Sequence, residues 1–163
     1  MPTPRRTRSA RVSSSAFRSD PVTFLPGLTL HASCVSVDGT GVLITGPSGS
    51  GKSALALSLM AFGAKLVADD QTTLTRNGDD LVATCPPAIA GMIEARGLGI
   101  LNADAVRDCT IGLVVDLAQT EGMRLPPHRN VTYLGRMVPL VLGQATPHFP
   151  AALWHYIRAG RRE

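Results

Sequence analysis

The sequence predicts an α/β domain built around a phosphate-binding loop. Three observations predict it. The stretch Gly46-Pro47-Ser48-Gly49-Ser50-Gly51-Lys52-Ser53 satisfies the pattern G-x-x-x-x-G-K-[ST] in full. A short apolar run, Gly41-Val42-Leu43-Ile44-Thr45, precedes it as a buried strand would, and good helix formers from Lys52 to Met60 follow it, with Gly63 as the stop. More short apolar runs, Lys65 to Ala68 and Ile111 to Leu117, recur downstream as further strands.

The loop residues suit one chemistry. Gly46, Gly49 and Gly51 let the backbone turn tightly and bring its N–H groups against phosphate oxygens. Lys52 reaches the outer phosphates as a point charge, and Ser53 offers a hydroxyl to Mg²⁺. The helix that starts here points its positive end at the anion. The expectation is therefore nucleotide binding through residues 46–53.

The 163 residues are enough for one domain with its own core, and the composition, 44% apolar and 17% charged, is globular. No apolar run reaches the roughly 18 residues of a membrane span. Cys34, Cys85 and Cys109 are scattered and lack C-x-x-C spacing, which argues against zinc and against a disulfide framework. Buried free thiols in a reducing cytoplasm are expected. The net charge of +4 is uneven, because Arg5, Arg6, Arg8, Arg11 and Arg18 all precede the first acid, Asp20. The rest carries eleven basic and twelve acidic residues, so no nucleic-acid footprint is expected on the folded part.

Residues 1–20 read as a disordered Arg/Ser-rich arm, and residues 21–163 as the domain. An organelle transit peptide and a misplaced start codon also fit the arm; a secretory signal does not, because no apolar stretch follows. Order is expected from Val22. Leu28 to Val37 reads as a strand, Asp38-Gly39 as a turn and Gly41 to Thr45 as the returning strand. Lys65 to Ala68 is a strand ending at Asp69-Asp70. Gln71 to Arg76 and Leu81 to Cys85 flank Asn77-Gly78-Asp79-Asp80 as a second hairpin. Pro86-Pro87 breaks the pattern, and Ile89 to Arg96 is an apolar segment before the tight turn Gly97-Leu98-Gly99. Residues 119–130 read as a polar loop, Val138 to Leu142 as a strand, and Ala151 to Arg162 as a terminal helix with Trp154 and Ile157 on one face.

A phosphate loop identifies a ligand and leaves the reaction open. Phosphoryl transfer also needs metal ligands and a group that orients or deprotonates the acceptor. Asp69 and Asp70 follow a short strand after the loop's helix, which in a parallel sheet sets them at the carboxyl end beside the loop. One can hold the metal and the other face the acceptor; a solvated turn is the plainer alternative. Asp116 is a reserve candidate at another strand end. His31 would lie on the strand beside the loop's strand, where a structural role is the commoner one. Glu94 sits in an apolar segment where an unpaired carboxylate is costly to bury, so Arg96 or Mg²⁺ is expected to satisfy it. His128, His148 and His155 lack ligand spacing.

Leu30-His31, GVLITGPSGSGKS at 41–53, LVADD at 66–70 and EARGLGI at 94–100 together resemble HPr kinase/phosphorylase, over about residues 28–117. The chain resembles the short form, a catalytic domain alone. The resemblance implies a P-loop kinase domain of the phosphoenolpyruvate-carboxykinase-like type, with a mixed β-sheet and flanking helices. It implies an ATP- and Mg²⁺-dependent serine protein kinase acting on the phosphocarrier HPr of the sugar phosphotransferase system, in the cytoplasm, and as a homo-oligomer, a hexamer in the family. By position, Lys52 would contact phosphates, Ser53 and Glu94 would hold Mg²⁺, Asp70 would be the base and His31 would support it. Arg124, in Met123-Arg124-Leu125, would match a later catalytic arginine. Two features depart from the family pattern. Ala54 stands where an acid is usual, and Met137-Val138-Pro139-Leu140 stands near where a basic Pro-Gly-Arg segment linked to phosphorylase action would fall. The expectation is therefore kinase action, with dephosphorylation unassigned. A small-molecule kinase, a non-catalytic ATP sensor and an Arg-tail nucleic-acid binder are the competing classes. The joint presence of His31, Asp70, Glu94 and Arg124 favours catalysis over sensing.

Overall fold

A computed structural model describes residues 27–162. The expected arm at 1–20 and the expected onset of order at Val22 lie outside these residues. Nine strands form one curled mixed sheet: β1 (Leu28–Leu30), β2 (Ala32–Val37), β3 (Thr40–Thr45), β4 (Lys65–Ala68), β5 (Thr72–Asn77), β6 (Asp80–Thr84), β9 (Asp108–Thr120), β10 (Arg129–Tyr133) and β11 (Arg136–Gly143). A separate hairpin pairs β7 (Met92–Ala95) with β8 (Gly99–Asn102). Two helices, α1 (Lys52–Ala61) and α2 (Phe149–Ala159), pack on one face.

The hairpin β2–β3 forms as the sequence indicates, closed by Asp38 and Gly39, both at positive φ. Its strands are buried on both sides because side chains alternate between two cores. Val35, Val42 and Ile44 face the helices, while Cys34 and Leu43 face Leu74, Leu81 and Ala83 of the second hairpin, which curls back over the sheet. α1 ends where Gly63 stands at φ 117°; the Ala64 N–H reaches the Leu59 carbonyl at 3.1 Å.

The sheet corrects one premise. Asp69-Asp70 were placed by assuming a parallel sheet, but β4 is antiparallel to its neighbour β2, which is antiparallel to β3. β4 therefore runs in the same sense as β3 with β2 between them. Its carboxyl end still reaches the sheet edge that carries the loop. β9 and β11 run parallel to β3 as well, so four strands end at this edge.

Three boundaries differ from expectation. The strand expected over 28–37 breaks at His31, and β1 pairs with β5 while β2 pairs with β4. Opposite the break, β4 and β5 are interrupted by Asp69, Asp70 and Gln71, and pairing resumes in the same register, from Cys34↔Ala68 to Leu30↔Thr72. β9 extends to Thr120, and β10 begins at Arg129 inside the stretch expected to be loop. Its sequence, Arg-Asn-Val-Thr-Tyr, alternates too weakly to announce a strand; pairing with β11 makes it one. The terminal helix starts earlier and ends earlier than expected, with Trp154 and Ile157 both against the core.

Cys34 and Cys109 are buried free thiols, Sγ atoms 3.9 Å apart, and Cys85 is only half-buried. The Cys109 thiol beside it and full burial push the Cys34 thiol well above its ordinary pKa, so it stays protonated and inert.

Candidate functional site

The loop between β3 and α1 folds as its glycines require. Gly46, Gly49 and Gly51 all stand at positive φ, and a Cβ on Gly46 would lie 2.5 Å from Ser50 Oγ. Lys52 is buried at the first turn of α1, and its Nζ donates to the carbonyls of Gly46 at 2.9 Å and Pro47 at 3.0 Å. The ammonium thus braces the loop from within. Ser53 follows it at the mouth of a cavity of about 460 Å³ lined by His31, the loop, Asp70, Glu94 and Arg96.

The paired breaks at His31 and at 69–71 build the opposite wall. Because both strands of the ribbon kink at one level, His31 Nδ1 meets Asp70 Oδ1 at 3.0 Å. Asp70 holds a left-handed conformation, φ 67°, uncommon for a residue with a side chain and often tied to function. The two side chains remain 49% and 66% exposed, so the pair is open to an incoming group. His31 Nε2 lies 3.3 Å from Ser48 Oγ in the loop. The ring therefore stands between the Asp70 carboxylate and the Ser48 hydroxyl and links the two walls of the cleft.

Asp69 does something different from its neighbour. It is buried, and its carboxylate accepts from Ser33 Oγ at 2.7 Å, Ser53 Oγ at 2.8 Å and the Glu94 backbone N–H at 3.1 Å. The adjacent acids are therefore divided: one inward on Ser53, one outward on His31. The tandem acids alone left the two roles open; the break between β4 and β5 and the left-handed turn at Asp70 divide them, and neither is marked by the residue types. Ser33, the partner that fixes Asp69, carried no signal at all.

Glu94 lines the cleft but is exposed, so the burial cost that called for Arg96 or Mg²⁺ as its partner does not arise. Ile93 and Ala95 on either side are the buried positions of β7. Arg96 shares the cleft without an ion pair to Glu94. Arg124 is not brought to this cleft; it lines a different cavity beside α2. The reserve candidate Asp116 lies within β9, opposite Thr45 at the end of β3, and accepts from the Ala118 N–H and Gln119 Nε2.

Among the described residues no cluster of three or more His, Cys, Asp or Glu forms a ready-made metal cage. Mg²⁺ commonly binds through one or two carboxylates together with substrate phosphates and water. The Asp69 carboxylate against the Ser53 hydroxyl, with Glu94 at the same mouth, is a hard oxygen donor set that fits it.

A glycine loop closing on a helix N-terminus at a shared strand edge, faced by a carboxylate that a histidine holds, defines a phosphate-loop nucleotide-binding domain of the kinase fold. The chain belongs to the family of the HPr serine kinase C-terminal domain, whose model matches residues 23–125. It is 47% identical over 87 residues to proteins named HPr kinase/phosphorylase from Xanthomonas campestris pv. campestris (strain B100) and Xanthomonas oryzae pv. oryzae (strain PXO99A). Those matches cover 53% of this chain and 27% of each relative, so the chain spans about a quarter of their length. The solved structure of the Hpr(Ser) kinase/phosphatase from Coxiella burnetii superposes with a TM-score of 0.70 at 30% identity, covering 80% of this chain and 94% of that one.

Proposed function

We propose that this chain transfers the γ-phosphoryl group of ATP to a serine hydroxyl of an HPr-type phosphocarrier protein. The observation that carries the reading is the His31–Asp70 pair at the open rim of the phosphate-loop cleft. Loop N–H groups and Lys52 would hold the phosphates, Lys52 turning from the Gly46 and Pro47 carbonyls toward them. Ser53, with Asp69 and Glu94, would hold Mg²⁺, which when bound supplies charge neutralisation on the phosphates. The acceptor serine oxygen forms a bond to the γ-phosphorus as the bond to the ADP oxygen breaks, and the serine proton passes to Asp70. His31 keeps that carboxylate aimed outward. Arg124 takes no part in this proposal.

A protein acceptor fits the rim better than a small one. The hairpin that carries Glu94 and Arg96 leaves Leu98 81% and Ile100 65% exposed beside the cleft. Side chains of that kind serve a macromolecular contact. No described helix is long and apolar enough to cross a membrane. A homo-oligomer, hexameric by family resemblance, is part of the same reading.

The test is incubation of the full chain with ATP, Mg²⁺ and HPr, followed by mass analysis of HPr for phosphoserine. Stoichiometric phosphoserine is expected. Tight ATP binding without transfer would replace the kinase with a nucleotide sensor.

A further inference from the structure

A second cavity, of about 410 Å³, lies between β11, α2 and the segment 121–128, at the carboxyl edge of β9 and β11. It shares no lining residue with the phosphate-loop cleft. Its charge is unbalanced. Arg124, Arg129 and Arg161 line it against a single acid, Glu121. That acid is spent: its carboxylate holds Arg129 and accepts the Met123 N–H at 3.0 Å. Arg124 and Arg161 have no carboxylate partner among the described residues. Two further lining groups, Arg161 Nε and Thr146 Oγ1, are shut from solvent without a hydrogen-bond partner among those residues. Unmade bonds of this kind are costly, and a small turn of either side chain toward an acceptor in the cavity would relieve them. Much of the rest of the wall is apolar, with Leu140, Leu142, Phe149 and the Tyr156 ring, beside the polar His128, Asn130, Gln144 and His148.

We infer that this cavity binds a small organic anion, a carboxylate on an apolar body. Guanidinium groups present a planar fork that matches a carboxylate with two parallel bonds. The apolar wall takes the body, and the volume lies within the usual range for small-molecule sites. The carboxyl edge of parallel strands is where open α/β sheets commonly take ligands. Inorganic phosphate satisfies the cations and leaves the apolar wall empty, so it is the weaker ligand here.

The test uses the full chain and titration calorimetry with benzoate, benzamide and inorganic phosphate as probes. Benzoate is expected to bind and to raise the melting temperature. Benzamide, which keeps the ring and loses the charge, should bind at least about tenfold more weakly. Arg161→Gln and the exposed Arg124→Gln should each weaken benzoate by roughly tenfold with the melting temperature of the free chain unchanged. Lys52→Ala should leave benzoate affinity as it is. Benzoate affinity unchanged in both arginine variants, or lost in Lys52→Ala, would overturn the assignment. So would phosphate binding as tightly as benzoate in Lys52→Ala, or no benzoate binding at all.

Discussion

The phosphate-loop cleft and the cavity beside α2 enclose similar volumes, about 460 and 410 Å³, and handle charge in opposite ways. In the cleft the frame is backbone. Three glycines at positive φ shape the loop, Lys52 is held by two loop carbonyls, and Asp69 accepts from three neutral donors. In the other cavity the frame is side chains. The buried Glu121, paired with the half-buried Arg129, ties the end of β9 to β10, and Gln144 Nε2 donates to the Glu121 carbonyl at 2.5 Å. A backbone-framed site can lose a side chain and keep its shape. A site framed by a buried ion pair cannot, because removing one partner strands the other. Variants in the cleft should therefore cost turnover and spare stability, and variants at Glu121 should do the reverse.

The largest effect is expected at Lys52. Lys52→Ala removes the loop's only cation and should lower kcat/KM for transfer to HPr on the order of 10³-fold or more. The melting temperature should move by only a few degrees, since two carbonyls at the loop mouth can turn to water. Near-normal turnover in that variant would dissolve the distinction between the two sites. Asp70→Asn comes next. It keeps size and removes charge, and should cost about 10²–10⁴-fold in single-turnover transfer while nucleotide affinity stays within a few-fold. His31→Ala should cost roughly tenfold, and the double variant should be little worse than Asp70→Asn alone, because both act through one carboxylate. Full activity in Asp70→Asn would move the base to another acid, Asp116 first, since Asp69 is committed to Ser53.

The same contrast explains what could be read in advance. The loop, α1 and the hairpin β2–β3 were legible because their residue types are forced locally: glycine at positive φ, a lysine at the helix start, a turn at Asp38-Gly39. The direction of β4 was not legible, since strand sense depends on which neighbour it meets, yet the end of the sheet that it reaches came out the same. The break at His31 and the division of labour between Asp69 and Asp70 were hidden because they arise from the pairing of two distant ribbons. Glu121 was read as a loop acid. It follows β9 directly, and its burial depends on Arg129, on the weakly patterned β10, and on Gly143 at the end of β11, whose carbonyl accepts the Glu121 N–H at 2.9 Å.

The burial of this loop acid gives the smallest and sharpest test of the contrast. The Glu121 carboxyl is held below the ordinary carboxylate range, first by the Met123 N–H and then by Arg129, against a burial effect that pushes the other way. A folded-state pKa below the unfolded one means that the charged form stabilises the fold. This contribution is fully present above the ordinary glutamate value, about 4.3, and is lost as pH falls through the depressed folded value. Glu121→Gln keeps the shape and removes the charge. At pH 7 it should melt a few degrees below the unaltered chain, and the gap should shrink below about pH 4 as the native carboxyl takes up its proton. Thermal melts by circular dichroism from pH 7 to pH 3 at fixed ionic strength measure this directly. A gap that stays constant across the range would assign the loss to packing and hydrogen-bond geometry, not to charge. Transfer to HPr at pH 7, below the melt, should stay within about twofold of normal, because no atom of Glu121 lines the phosphate-loop cleft.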